Sequence, residues 1–210
     1  MSSMEIYHNI VTAESLKLLR QFNRQYRFVL IGGWAVYLFA NTLKSKDIDL
    51  VIDYDELTKL KENHDVIKND RLKKYEIKHS SGVDVDIYLP HYSDLGIGAQ
   101  EIISNVENIN GFKVPYLEML FALKLYAYQA RRGSLKGKKD EIDIFSLAFL
   151  SNFDWNKYLD LVKKHHFQKY HNEFIALLQR TLEIKELNIN QQKMARQRKE
   201  ILKIIGKTGK

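Results

Sequence analysis

A strand that ends in two glycines, a helix that begins on them and a second strand that opens with two acids constrain this chain more than any other feature. The stretch reads Phe28-Val29-Leu30-Ile31-Gly32-Gly33-Trp34-Ala35 and continues as an amphipathic run to Leu43. It returns as Lys44-Ser45-Lys46-Asp47-Ile48-Asp49-Leu50-Val51-Ile52. Side chains alternate along a strand, so Asp47 and Asp49 leave the same face. Two like charges side by side are costly unless something positive lies between them. A divalent cation answers that need, and hard oxygen ligands point to magnesium. A Gly-Gly turn into a helix N-terminus also lets backbone N–H groups approach phosphate closely, which marks Gly32 and Gly33 as candidate anion binders.

A third acid belongs with these two. Val83-Asp84-Val85-Asp86-Ile87-Tyr88-Leu89 alternates apolar with polar, so Asp84, Asp86 and Tyr88 share a face. If this strand lies beside Ile48–Ile52, one of its aspartates reaches Asp47 and Asp49. Three carboxylates on neighbouring strands can hold two metal ions about 3.5–4 Å apart, one to activate an attacking oxygen and one to bind a triphosphate.

The rest of the chain divides in two. Residues 12–23 are expected to be helical, and Arg27–Ile31, Ile48–Ile52, Lys73–His79 and Val83–Leu89 to be strands. Asp53 is placed to cap a short helix, with Glu56 three positions on in a capping-box arrangement. Asn110-Gly111 is a hairpin turn between Val106–Ile109 and Phe112–Val114. The period changes at Pro115. From Tyr116 to Arg131, Leu117, Leu120, Phe121, Leu123, Leu125 and Ala127 recur at helical spacing. A glycine- and lysine-rich link is expected from Arg132 to Lys138, then a helix carrying Ile142 to Leu150, then a third capped by Asp154, with helices to about Ile205. The expected layout is an α/β domain over 1–114 and a helical domain over 115–210.

Composition narrows the chemistry. There are no cysteines, hence no disulfide, zinc-thiolate site or thiol nucleophile. No apolar run reaches the roughly 18 residues of a membrane helix, and Met1 to Asn9 has no signal-peptide layout, so a cytoplasmic address is expected. The 7 histidines lack the paired spacing of zinc hydrolases, and His165, His166 and His171 are expected on helix surfaces. The net charge of +7 is uneven: residues 1–150 hold 20 Lys+Arg and 20 Asp+Glu, and residues 151–210 hold 13 and 6. Lys193, Arg196, Arg198, Lys199, Lys203, Lys207 and Lys210 face only Glu200 after Asn188. Such a basic end is either a polyanion-binding element or a solvated terminal helix.

The Gly-Gly, Asp-x-Asp and later Val-Asp-Ile strands, Leu30 to Ile52 and Val85 to Leu89, resemble the DNA polymerase β superfamily of nucleotidyltransferases. Lys124, Arg131 and Lys139-Asp140-x-x-Asp143 narrow the likeness to nucleotidyltransferase toxins of AbiE-type systems and their relatives. The resemblance covers roughly residues 27–150. It implies an α+β fold, a nucleotidyltransferase-like mixed sheet with flanking helices, followed by a C-terminal helical bundle. It implies that Asp47, Asp49 and Asp86 bind magnesium, two ions in all, with Asp84 the alternative third ligand. Gly32 and Gly33 would hold phosphate of the NTP, ATP or another, together with Lys46, Lys124 and Arg131. Asp140 would assist at the acceptor or the nucleotide. Where many relatives have serine or threonine beside the glycines, this chain has Trp34, so no hydroxyl is offered to phosphate there.

Other readings of single residues stand beside these. Lys46 either steers phosphate or offsets the repulsion of the acids. Asp140 is otherwise a helix cap, and Asp143 a partner of Lys139. Tyr116, Tyr126 and Tyr128 either stack a base or pack in half-buried positions. The expected activity is transfer of NMP from an NTP to an acceptor hydroxyl with loss of pyrophosphate. The acceptor is expected to be RNA, a tRNA 3′ end above all, and the resemblance adds a toxin role with a cognate antitoxin protein. The rival readings are an antibiotic or other small-molecule nucleotidyltransferase, and a non-catalytic module that binds nucleotide or RNA.

Overall fold

The structure, a computed structural model, describes residues 3–208 and the side chains of residues 10–206. Lys210 and the side chains of Met1 to Asn9 and Lys207, which entered the expectations above, lie outside it. The chain separates into two compact units, Met1–Tyr116 and Leu117–Lys210.

The first unit is built from α1 (Ser3–Gln25), β1 (Val29–Ile31), α2 (Gly32–Ala40), β2 (Ile48–Val51), α3 (Tyr54–Asn63), β3 (Ile67–Asn69), β4 (Lys74–Lys78), β5 (Asp84–Tyr88), α4 (Ala99–Ser104), β6 (Val106–Ile109) and β7 (Phe112–Pro115). A mixed sheet has the order β1-β2-β5-β4-β3, and β6 and β7 form a separate hairpin. β2 and β5 run parallel, and the other neighbours in the sheet are antiparallel. Leu30, Leu50 and Ile87 lie in one row across three strands, and Ile48, Val85 and Ile77 in the next. All six are at most 4% exposed, so the alternation read in the sequence becomes one apolar face of the sheet. The next row carries Ile31, Asp49, Asp86, Glu76 and Ile67, one residue from each strand.

The elements flanking this sheet are fixed by short-range chemistry. Trp34 is buried in the first turn of α2 and donates from its indole nitrogen to Ser15 Oγ at 2.8 Å, which ties α2 to α1. Asn41 ends α2 in the left-handed conformation. Asp53 caps α3 by accepting from the Glu56 N–H at 2.8 Å. The return half of the expected capping box is absent, because Glu56 is engaged elsewhere. Its carboxylate accepts from Arg27 N at 3.1 Å, Arg27 Nε at 2.9 Å and Lys59 Nζ at 2.7 Å. Asn110 and Gly111, both at positive φ, turn the β6–β7 hairpin.

The second unit holds α5 (Leu117–Arg131), α6 (Leu135–Ala148), α7 (Trp155–Lys164), α8 (Gln168–Arg180), a short 3-10 turn (Lys185–Leu187) and α9 (Gln191–Thr208). Phe121 sits at its centre, edge-on to Phe153, Tyr158 and Phe174 at 5.0, 4.9 and 5.1 Å between ring centroids. Edge-to-face contacts of this kind satisfy the ring quadrupoles as well as burying area. Glu118 accepts from Asp154 N at 2.9 Å and fixes the entry to α7.

Several boundaries differ from the sequence reading. The link expected over 132–138 is much shorter, since Ser134 Oγ accepts from Gly137 N at 3.0 Å and starts α6 at Leu135. Gly137 thus serves inside the helix: a Cβ there would lie 2.3 Å from the Arg131 carbonyl oxygen. β3 and α4, with 3 and 6 residues, are too short to leave a periodic signal. His171, expected at the surface, is buried against Tyr158 OH at 3.4 Å, which an α8 stripe with Phe174 and Leu178 explains.

Glu56 is about 1% exposed, and its donors hold its carboxyl below the ordinary 4.5 against the upward push of burial. A depressed folded value means that this contribution is present above about pH 4.5 and is lost as pH falls through the folded value. Glu56→Gln is therefore expected to lower stability at pH 7 by about 1–3 kcal/mol, the lower end being favoured because Arg27 and Lys59 are solvent-screened. The deficit should shrink below pH 4.5, as read by urea unfolding across pH.

Candidate active site

The polar row of the sheet gathers most of the expected acids. Register places Asp49 of β2 directly beside Asp86 of β5, and Asp86 beside Glu76 of β4. Neighbouring strands lie about 4.8 Å apart, so three carboxylates stand side by side on one face. Asp84, the alternative third acid, pairs instead with Lys78 in register and in an ion pair at 3.1 Å. Asp47 precedes β2 and lies near enough to add to the negative potential at Asp86. Lys46 is exposed.

Gly32 explains how Asp49 is seated. Its φ is +69°, and a Cβ there would fall 2.0 Å from Asp49 Oδ2. The missing side chain is thus the space that the Asp49 carboxylate occupies. That carboxylate rests at the first turn of α2, where the partial positive charge of a helix N-terminus favours it. Tyr88 OH donates to its other oxygen at 3.4 Å. Ile31, the N-cap residue of α2, makes no side-chain hydrogen bond to its first N–H groups. Trp34, at the position beside the glycines, points into the core and offers no hydroxyl to this turn.

Lys74 and Glu76 are residues that the sequence reading did not single out. Lys74 Nζ lies 2.6 Å from Asp86 Oδ2 and 2.9 Å from Glu76 Oε1, with its side chain 12% exposed. Burial pushes the Asp86 carboxyl above its ordinary value; Lys74 opposes this, while Glu76 and Asp47 add to it. Burial pulls the Lys74 ammonium down, and Asp86 and Glu76 hold it above its ordinary value. The alternation Lys74-Tyr75-Glu76-Ile77-Lys78 was the available signal, since it sets three charges on the face that Asp84 and Asp86 share.

In the second unit, Lys124 of α5 is 2.7 Å from Asp143 Oδ2 and 3.3 Å from Asp140 Oδ1, both on α6. Arg131 Nη1 reaches Asp140 Oδ2 at 3.4 Å. Lys124, Asp140 and Asp143 are each at most 7% exposed. Asp140 is therefore not a helix cap, a task that Ser134 performs, and Asp143 pairs with Lys124. Tyr128 is buried, with its hydroxyl shared between Glu141 and Arg180. It is thus a packing residue.

The basic end forms α9. Arg198 does not add to its outer charge, since its guanidinium donates to the carbonyls of Leu178 at 2.9 Å and Thr181 at 2.6 Å and closes the end of α8. Lys193, Arg196, Lys199 and Lys203 are exposed. A second basic surface lies along α1, where Lys17, Arg20, Arg24 and Lys44 line a groove of about 410 Å³.

No protein-family model matches this chain, and no curated protein matches it. Solved structures do. A provisionally assigned nucleotidyltransferase from H. pylori superposes with a TM-score of 0.52 at 17% identity, over 99% of this chain and 97% of that one. JHP933 from Helicobacter pylori gives 0.51 at 18% identity, over 100% and 96%. An antigenic nucleotidyltransferase-like protein from Paracoccidioides brasiliensis gives 0.40 at 18% identity, over 87% and 94%. At these identities the first two establish a shared fold. The mixed sheet with flanking helices, followed by a helical unit, is a nucleotidyltransferase-like fold, as expected from the sequence.

Two substitutions probe these clusters. Gly32→Ala should cost at least about 1–2 kcal/mol through its positive φ alone, and should displace Asp49 as well. A lower urea midpoint would read the first effect and altered backbone and side-chain NMR shifts at Asp49 the second. Lys124→Met leaves two buried carboxylates facing each other and should cost about 3–5 kcal/mol, measured by the same unfolding.

Proposed function

We propose that this chain is a magnesium-dependent nucleotidyltransferase that moves NMP from an NTP to an acceptor hydroxyl. The observation that carries this reading is the pairing of Asp49 with Asp86 on parallel strands, beside a glycine that opens a helix, in a chain of nucleotidyltransferase-like fold. The donor set fits a hard divalent cation: it is all carboxylate oxygen, in a pocket whose sum of charge is negative. Among the described residues, no three His, Cys, Asp or Glu side chains are already converged on a point that would hold an ion. Asp47, Asp49 and Asp86 are the residues that would hold magnesium.

When bound, the metal would supply charge neutralisation for the triphosphate and for the leaving pyrophosphate. The chain's own residues do the rest. The uncapped N–H groups at Gly32 and Gly33 hold phosphate oxygen, with Lys46 adding positive charge nearby. Attack by the acceptor oxygen forms a bond to the α-phosphorus and breaks the bond to the bridging oxygen of the β-phosphate, so pyrophosphate leaves. One of the clustered aspartates takes the proton that leaves the acceptor hydroxyl. Lys124 and Arg131 are assigned to the triphosphate, and Asp140 to the acceptor or the nucleotide.

We assign RNA as the acceptor, a tRNA 3′ end in particular, on the charge of α9 and of the α1 groove. A cytoplasmic toxin held in check by a cognate antitoxin protein is the biological setting that this activity fits. No described helix is long and apolar enough to cross a membrane.

Incubation with each α-labelled NTP, magnesium and total RNA is expected to label RNA, and Asp49→Asn to reduce labelling by about 10²–10³-fold or more. Label on a small molecule instead of RNA would reassign the acceptor. Absence of any transfer would overturn the reading.

A further inference from the structure

Lys74 has no part in the activity as described above, yet it makes a close ion pair with Asp86 at the centre of the polar face of the sheet. Its ammonium lies 2.6 Å from Asp86 Oδ2 and 2.9 Å from Glu76 Oε1. Both distances are those of charge-assisted hydrogen bonds. The side chain is 12% exposed, which leaves little room for the ammonium to swing away. It is also anchored independently of Asp86. Glu76 is itself fixed by Asn69 Nδ2 at 3.1 Å and lies 3.7 Å from Lys78 Nζ, so Lys74 would stay in place if Asp86 turned.

A two-ion site asks the carboxylates to serve two divalent cations only about 3.5–4 Å apart. Asp86 has one oxygen already engaged by a fixed positive charge, which leaves its other oxygen for a metal. A second divalent ion drawn to the engaged oxygen would have to approach that ammonium at close range in a poorly solvated pocket. The two like charges would repel strongly there.

We propose that Lys74 takes the place of one of the two cations, so that this site binds a single divalent ion held by Asp47, Asp49 and the free oxygen of Asp86. Lys74 is thereby a positioning residue. It holds Asp86 against Glu76 and supplies permanently the positive charge that a second ion would bring. The negative sum of the pocket remains after Lys74 is counted, since Asp47, Asp49, Asp86 and Glu76 outnumber it, and this is what leaves a place for one ion. The inference rests on the nucleotidyl-transfer reading and refines it.

The test is the number of Mn²⁺ ions bound per chain, read by electron paramagnetic resonance of free Mn²⁺, with a non-hydrolysable NTP analogue present and its own binding of Mn²⁺ subtracted. One ion is expected on the wild-type chain, one on Lys74→Arg, which keeps the charge, and two on Lys74→Met. Two ions on the wild-type chain would overturn the inference while leaving the nucleotidyl-transfer reading intact, and this arm needs no variant to fold. One ion on folded Lys74→Met at wild-type affinity would overturn it likewise. No Mn²⁺ on the wild-type chain or on Lys74→Met would overturn both, which separates the two failures.

Discussion

The parallel pairing of β2 with β5 is the constraint on which the rest of the site depends. These two strands are distant in sequence and are brought together by a crossover that contains α3, β3 and β4. Their register sets Asp49 beside Asp86 and no other acid. A slip of one residue in either strand would carry its carboxylate to the apolar face and bring Leu50 or Ile87 to the polar one. The apolar rows that bury Ile48, Leu50, Val85 and Ile87 completely forbid that slip. Hydrophobic burial on one side of the sheet thus fixes the geometry of charge on the other.

Around that register, each neighbour solves a local problem. Gly32 gives up its side chain so that Asp49 can sit at the start of α2. Trp34 turns inward to Ser15, so any recognition of phosphate at this turn comes from backbone N–H groups. Lys74 relieves the repulsion between Asp86 and Glu76. In the second unit the same logic recurs in a buried form, with one lysine between two aspartates on the next helix. A buried cation between two carboxylates is a weak source of net stability, but losing one member is severe.

Much of this was legible because it rests on periodicity. The two-residue alternation of Ile48–Ile52 and Val83–Leu89 located both strands and the face of their acids. Asp53 and Asp154 were readable as caps, and Asn110-Gly111 as a turn. The role of Gly32 was not, because it depends on contact with a residue seventeen positions away. Lys74 and Glu76 were overlooked for a related reason. A charged residue on a strand looks solvent-facing until the neighbouring strand is known, and β4 lies beside β5 in a way that only pairing reveals. The link before α6 was misjudged because glycine and lysine read as coil, whereas Gly137 is required by the close approach of the Arg131 carbonyl. Arg198 counted as free charge in the sequence, and its use as a clasp on the end of α8 needed three dimensions.

The row of Asp49, Asp86 and Glu76 carries a wider implication. Carboxylates set side by side on adjacent strands weaken a sheet, and aliphatic residues at the same places would hold it together better. Conformational stability alone gives no reason to keep such a row. The sheet therefore tolerates internal repulsion at its middle, and a bound cation would act on this unit as a folding cofactor as well as a reagent.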